Sequence, residues 1–180
     1  MAPQQLDRLR GRLLDILAQL GIPRASPEGL YFPDTYHFAK GTSDLNVLRR
    51  AAQRMEAMLS EQWARRGENL AVAEPYEALI VASIVEKETA LDGDRPLVAA
   101  VLHNRLRKGM RLQADPTVIY GLGDDFDGNL RRRHLETDSP YNTYSRPGLP
   151  PTPIAMPGLA SLSAAVRPAP SSALYFVARG

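Results

Sequence analysis

Apolar and polar positions alternate along the chain in blocks that predict helices. Leu6, Leu13, Leu14, Ile16, Leu17 and Leu20 recur at helical spacing, and Gly21 and Pro23 stop that run. Thr42, Ser43 and Asp44 are three good N-cap residues together, and Leu45, Leu48, Ala52, Met55, Leu59 and Trp63 (or Gln62) then mark one helical face. A third helix is expected from Glu74-Pro75 to about Leu91, because proline at the first helical position loses no hydrogen bond. A fourth is capped by Asp94, carries Pro96 in its first turn and presents Leu97, Val98, Val101, Leu102 and Leu106. Gly109 ends it in the usual post-helical role.

Beyond Gly109 the periodicity fades. About 50 residues rich in Gly, Pro, Asp, Asn and Thr follow, and so long an irregular stretch in a compact domain is usually functional. Residues 159–166 predict a short helix. Two strands are expected, over 36–39 after an aromatic, proline-broken loop and over 174–178 at the end. The fold class is therefore α+β, a helical core with a small sheet.

Chemistry is to be sought on the third helix. At about 100° per residue, Glu86 and Glu88 lie about 200° apart and cannot share a face. Glu88 follows Ile84 by four and Val81 by seven and precedes Leu91 by three, which puts it on the apolar stripe. Glu86 falls beside Ala82, Ser83 and Ala90. A carboxyl on a buried stripe is costly to ionise, so its pKa rises and it suits general-acid work. The alternative is a glutamate near a helix end that reaches solvent or pairs with an arginine.

Composition narrows the classes. The 180 residues carry 22 Lys+Arg against 20 Asp+Glu, too balanced for a dedicated nucleic-acid binder. The longest strictly apolar run is five residues, 78–82, far short of a membrane span. There is no cysteine, and His37, His103 and His134 have no metal-ligand spacing, so no metal or other cofactor is expected. The acidic segment 123–128 lacks two key ligands of a calcium loop and predicts a solvated turn. Arg131, Arg132 and Arg133 form a basic run, either a solvated surface or an attraction for anionic wall polymers.

Several dense motifs carry a resemblance. Ala82-Ser83-Ile84-Val85-Glu86-Lys87-Glu88-Thr89 resembles the catalytic signature of the endolytic murein transglycosylases of the MltG (YceG-like) family. The aromatic segment 29–34, His103-Asn104-Arg105-Leu106, the stretch 109–121, Ser139-Pro140-Tyr141-Asn142-Thr143-Tyr144, Gly148-Leu149-Pro150-Pro151 and Pro153-Ile154-Ala155 agree in order. The resemblance implies that Glu88 is the catalytic acid, the residue the helical wheel also selects. It further implies cleavage of peptidoglycan glycan strands between MurNAc and GlcNAc without water, giving 1,6-anhydro ends. A single carboxyl suffices because the nucleophile, the C6 hydroxyl, is built into the substrate.

Within that resemblance, Gln113, Asp115 and Thr117 are expected to face the sugar. Tyr141, Asn142 and Tyr144 are candidates for stacking and amide recognition in a groove like that of lytic transglycosylases. Taken alone, Asp115-Pro116 reads as a turn and the tyrosines as core-edge packing. Residues 1–28 are expected to be an N-terminal helix and linker, and 29–180 a catalytic domain cut at its C-terminus, lacking the membrane helix and LysM-like domain of full-length relatives. The resemblance places the whole protein on the cytoplasmic membrane with this domain outside, and suggests peptidoglycan synthases as partners. Two rivals remain: a hydrolytic muramidase with Asp115 as second carboxylate, and a non-catalytic peptidoglycan-binding module.

Overall fold

A computed structural model describes residues 3–19, 21–22 and 26–176. Seven α-helices are present among them: α1 (Pro3–Gln19), α2 (Asp44–Ala64), α3 (Pro75–Glu88), α4 (Arg95–Arg107), α5 (Asp115–Leu122), α6 (Arg132–Glu136) and α7 (Leu159–Val166). Ser43 caps α2, its side chain accepting from the Asn46 amide. Glu74 and Glu77 form a capping box at the start of α3. Helix α4 ends where Gly109 turns to φ 64° and the Met110 N–H reaches back to the Arg105 carbonyl at 2.9 Å.

Helix α3 is the axis of the domain and packs on α2, α4, α5 and α7. Every residue from 78 to 85 is buried, and all but Ser83 are apolar, so the helix is covered on every side over two turns, as a central helix must be. Around it lie Leu102 of α4, Met55 of α2, and Leu162, Ala165 and Val166 of α7. The early aromatic segment joins the same core through Leu30, Tyr31 and Phe32. Gly29 (φ 79°) makes this possible, because a Cβ there would meet the Pro153 side chain at 2.5 Å.

Three expectations need correction. No strand occurs among the described residues: 36–39 and 174–176 have no regular secondary structure, so the small sheet of the α+β reading is not seen. The Tyr36 hydroxyl donates to the Phe32 carbonyl instead, and the carbonyls of Ser171, Ala173 and Leu174 accept from α4 side chains. Leu20, Pro23 and the 177–178 end of the second expected strand lie outside the described residues. Helix α3 stops at Glu88, short of Leu91, because Thr89 is extended (φ −147°, ψ 137°) and its hydroxyl accepts from the Leu91 amide. Finally, the irregular region contains α5 and α6. The Asp115-Pro116 pair read as a turn is the first turn of α5, where proline at the start and an acidic residue are both favourable.

Loops 67–74 and 137–157 are held by buried polar groups. His103 is wholly buried; its Nδ1 accepts from the Ala71 amide at 3.1 Å, so Nε2 carries the proton and donates to the Ala165 carbonyl at 2.8 Å. Burial holds its pKa below the ordinary 6.5. The unfolded chain therefore takes up a proton as pH falls through about 6.5 while the folded chain does not, and the stabilisation present above that pH is lost below it. We expect His103→Ala to cost about 2–4 kcal/mol in urea denaturation at pH 7.5, since two backbone groups lose their partner. The deficit relative to wild type should shrink between pH 6.5 and pH 5.

Candidate active site

The last turn of α3 is where the buried helix becomes polar, and its two glutamates meet different surroundings. Glu86 Oε2 accepts from the Gly158 amide at 3.1 Å, from the Ser161 hydroxyl at 2.6 Å and from Arg95 Nη1 at 3.3 Å. This cluster ties α3 to α4 and α7, so Glu86 is committed to the frame. Glu88, half-buried, lines a cavity of about 560 Å³ with Thr89, Leu91, Leu97, Tyr175 and Phe176. That is a ligand-sized volume. Among the described residues no cation pairs with Glu88. Burial pushes its pKa up to about 7, and the negative charge of Asp115 adds to the rise.

Asp115 opens α5 and accepts from the Tyr144 hydroxyl at 2.5 Å. Burial and that bond hold the Tyr144 proton firmly; Glu88 acts in the same sense and Arg105 against it. Glu88, Asp115, Tyr144 and Arg105 thus lie within electrostatic reach of one another. Arg105 is buried, and its Nη1 donates to the Leu112 carbonyl at 2.8 Å and to Gln113 Oε1 at 3.2 Å. Gln113 adopts a left-handed backbone (φ 52°) and donates its amide to the Thr143 carbonyl at 3.1 Å.

The remaining candidates are placed differently. Thr117 is fully buried, its hydroxyl donating to the Ala114 carbonyl at 2.7 Å and lying 2.8 Å from the Thr143 hydroxyl. Asn142 is also buried. Its amide nitrogen donates to the carbonyls of Leu135 and Thr137, and its oxygen accepts from the Tyr144 amide at 2.9 Å. Tyr141 hydrogen-bonds Thr152 and packs on Tyr120, with ring centroids 4.8 Å apart. These three build the loop that carries Tyr144. Two of the three arginines in the basic run are ion-paired, Arg131 to Asp127 and Arg132 to Glu136.

Sequence reasoning did not single out Arg105 or the cavity residues Leu91, Leu97 and Tyr175. A signal for Arg105 was present: it follows Val101 by four and Val98 by seven, which places it on an apolar stripe as Glu88 is on α3. The cavity residues carried none, because an exposed leucine is ordinary in any sequence.

Fold and site together define a helical domain in which one half-buried carboxyl of raised pKa lines a cavity at the end of the central helix. The chain belongs to the YceG-like family, whose model matches residues 4–180. It is 39% identical over 152 residues to a Bacillus subtilis protein named endolytic murein transglycosylase, covering 84% of this chain and 42% of that one. A Streptococcus pneumoniae protein of the same name is 35% identical over 157 residues, covering 84% and 28%. The chain thus spans less than half the length of these relatives. The crystal structure of a YceG-like protein from Listeria monocytogenes superposes with a TM-score of 0.75 at 33% identity, over 92% of this chain and 57% of that one. No described helix is long and apolar enough to cross a membrane.

The two glutamates should separate in stability measurements. Between about pH 4.5 and about pH 7 the folded chain keeps the Glu88 proton that the unfolded chain releases, so stability falls as pH rises through that window. Glu88→Gln is expected to be more stable than wild type at pH 8, by about 1–3 kcal/mol, and equal to it at pH 4. Glu86→Gln should instead lose about 1–3 kcal/mol near neutral pH through its weakened bonds to Arg95 and Gly158. Urea denaturation at the two pH values reads both.

Proposed function

We propose that this chain carries the catalytic site of a peptidoglycan lytic transglycosylase, cutting the β-1,4 bond between MurNAc and GlcNAc within glycan strands. What carries the reading is Glu88: a carboxyl whose pKa is raised to about 7 by burial, on the wall of a ligand-sized cavity, with Asp115 and Tyr144 beside it. The relatives' shared name supplies the substrate class.

In this mechanism Glu88 begins protonated and donates to the glycosidic oxygen as the C1–O bond breaks, so that GlcNAc leaves with a free 4-hydroxyl. The Glu88 carboxylate then takes the proton of the MurNAc C6 hydroxyl as that oxygen bonds to C1. The product is a 1,6-anhydro ring, the acid is restored, and no water is consumed. A carboxyl with pKa near the working pH serves both half-steps. Asp115 helps keep the proton on Glu88 in the first step, and the Tyr144 hydroxyl orients Asp115. Gln113, exposed two residues before Asp115, contacts the sugar in this reading; Thr117, Asn142 and Tyr141 shape the loop. The substrate lies outside the cytoplasmic membrane, so the domain works on that side. Membrane attachment and association with peptidoglycan synthases belong to the same reading.

The nearness of Asp115 to Glu88 favours one rival, hydrolysis with Asp115 activating water. Mass spectrometry of digested glycan decides: anhydro ends are one water lighter than reducing ends, and a majority of reducing ends would sink the transglycosylase reading. Glu88→Gln is expected to lower cleavage by about 10²–10⁴-fold. For the pH profile, cleavage should decline as pH rises above about 7, where Glu88 loses its proton. Asp115→Asn removes one of the two sources of that elevation, so the alkaline limb should move to lower pH, by less than burial itself contributes. A limb left in place would show that Asp115 does not act on Glu88.

A further inference from the structure

We propose that Tyr175 is a sugar-stacking platform in the cavity beside Glu88, and that Arg105 is the residue that positions it. The inference deepens the glycan-cleaving reading and rests on it. Tyr175 lines the same cavity as Glu88, yet 70% of its surface is open. An aromatic ring left that exposed contributes little to folding, yet it has a buried cation against one face. The Arg105 guanidinium carbon stands 4.8 Å from the ring centroid.

Arg105 is 6% exposed, and its Nε donates to the Leu174 carbonyl at 2.7 Å, the residue just before the tyrosine. Its neighbour on α4, Asn104, donates through Nδ2 to the carbonyls of Ser171 and Ala173, each at 2.8 Å. The segment without regular structure is therefore gripped at three carbonyls in four residues. The backbone that carries Tyr175 is thus held in place before any ligand arrives, which lowers the entropic cost of binding.

The chemistry of the cavity selects the occupant. A pyranose has apolar C–H faces and a hydroxyl rim. Tyr175, with Leu97 (50% exposed) and Phe176 (38% exposed), offers aromatic and aliphatic surface for a face. Glu88, Asp94 and Ser171 line the same space and offer polar atoms for the rim. The cavity thus matches a saccharide chain that passes Glu88 with one ring stacked on Tyr175. Arg105 also holds Gln113, so one buried cation fixes both the tyrosine wall and the glutamine loop.

The test uses the protein carrying Glu88→Gln, which keeps the glycan uncut, titrated calorimetrically with peptide-free glycan strands of alternating GlcNAc and MurNAc. Adding Tyr175→Ala should weaken binding about tenfold, whereas Tyr175→Phe should stay within about twofold. Tyr175→Leu, which keeps apolar bulk without the ring, should also bind weakly. Thermal melts of all three should stay close to that of the parent, since the ring is largely exposed. With Glu88 intact, Tyr175→Ala should raise KM for cleavage and leave the alkaline limb where it was. A Tyr175→Ala protein that binds glycan as tightly as its parent overturns the platform and leaves the transglycosylase reading standing. A parent that binds no glycan, together with a wild type that releases no anhydro ends, removes that reading and the platform with it.

Discussion

The complete burial of α3 is the constraint from which the rest of this structure follows. Eight consecutive residues of that helix, 78–85, are buried, and α2, α4, α5 and α7 pack around it. Such a helix leaves the core only at its ends. Its last turn therefore delivers charged groups to the border between the apolar interior and the surface, where the cost of ionising a carboxyl depends steeply on a few ångströms. Glu86 and Glu88 show how differently that border can treat two identical side chains. One is surrounded by an amide, a hydroxyl and a guanidinium and is spent on holding three helices together. The other faces aliphatic surface and a second carboxylate, and its proton is held to near neutrality. The negative end of the helix dipole at the same place acts in the same direction.

The polypeptide around that helix is irregular, and buried polar side chains take the role that a sheet would otherwise have. His103 bridges the 67–74 loop to α7; Asn142 gathers the carbonyls that follow α6; the Thr117 and Thr143 hydroxyls join α5 to the tyrosine loop. Ser83, inside α3, accepts from the Ile154 amide at 3.0 Å and so pins the proline-rich segment to the central helix. Each of these groups is satisfied, and among the described residues no buried side-chain donor or acceptor is left without a partner. In such an arrangement a loop is as well determined as a strand, because each polar group has few alternative partners once water is excluded. That permits a site assembled from α3, α5 and two loops to keep its geometry.

How much of this was legible in the sequence depended on how local the cause was. Helices α2, α3, α4 and α7 are written in caps, prolines and apolar spacing, and they form where those signals stand. Glu88 was legible for the same reason: its position relative to Val81 and Ile84 is a property of the helix alone. Leu91 was misplaced because the helix breaks at Thr89, and nothing local distinguishes a helix that continues for three residues from one that stops. The strands over 36–39 and 174–176 failed for a related reason, since β-propensity describes fitness for a pleated surface and supplies no partner. The start of α5 was missed although Asp115-Pro116 is as good a helix opening as Glu74-Pro75. What it lacked was a long apolar pattern behind it. Arg105 and Tyr175 were the least legible, because their meaning lies in each other and in segments about 70 residues apart.

The contact between Gly29 and Pro153 has a consequence for how this chain can vary. A side chain of any size at the first position would have to displace a ring that is itself buried against α3's neighbours, in a backbone conformation that favours glycine. The aromatic segment near the beginning and the proline segment near the end are consequently locked as one joint. Neither can drift on its own, and a viable change at one is tied to a compensating change at the other.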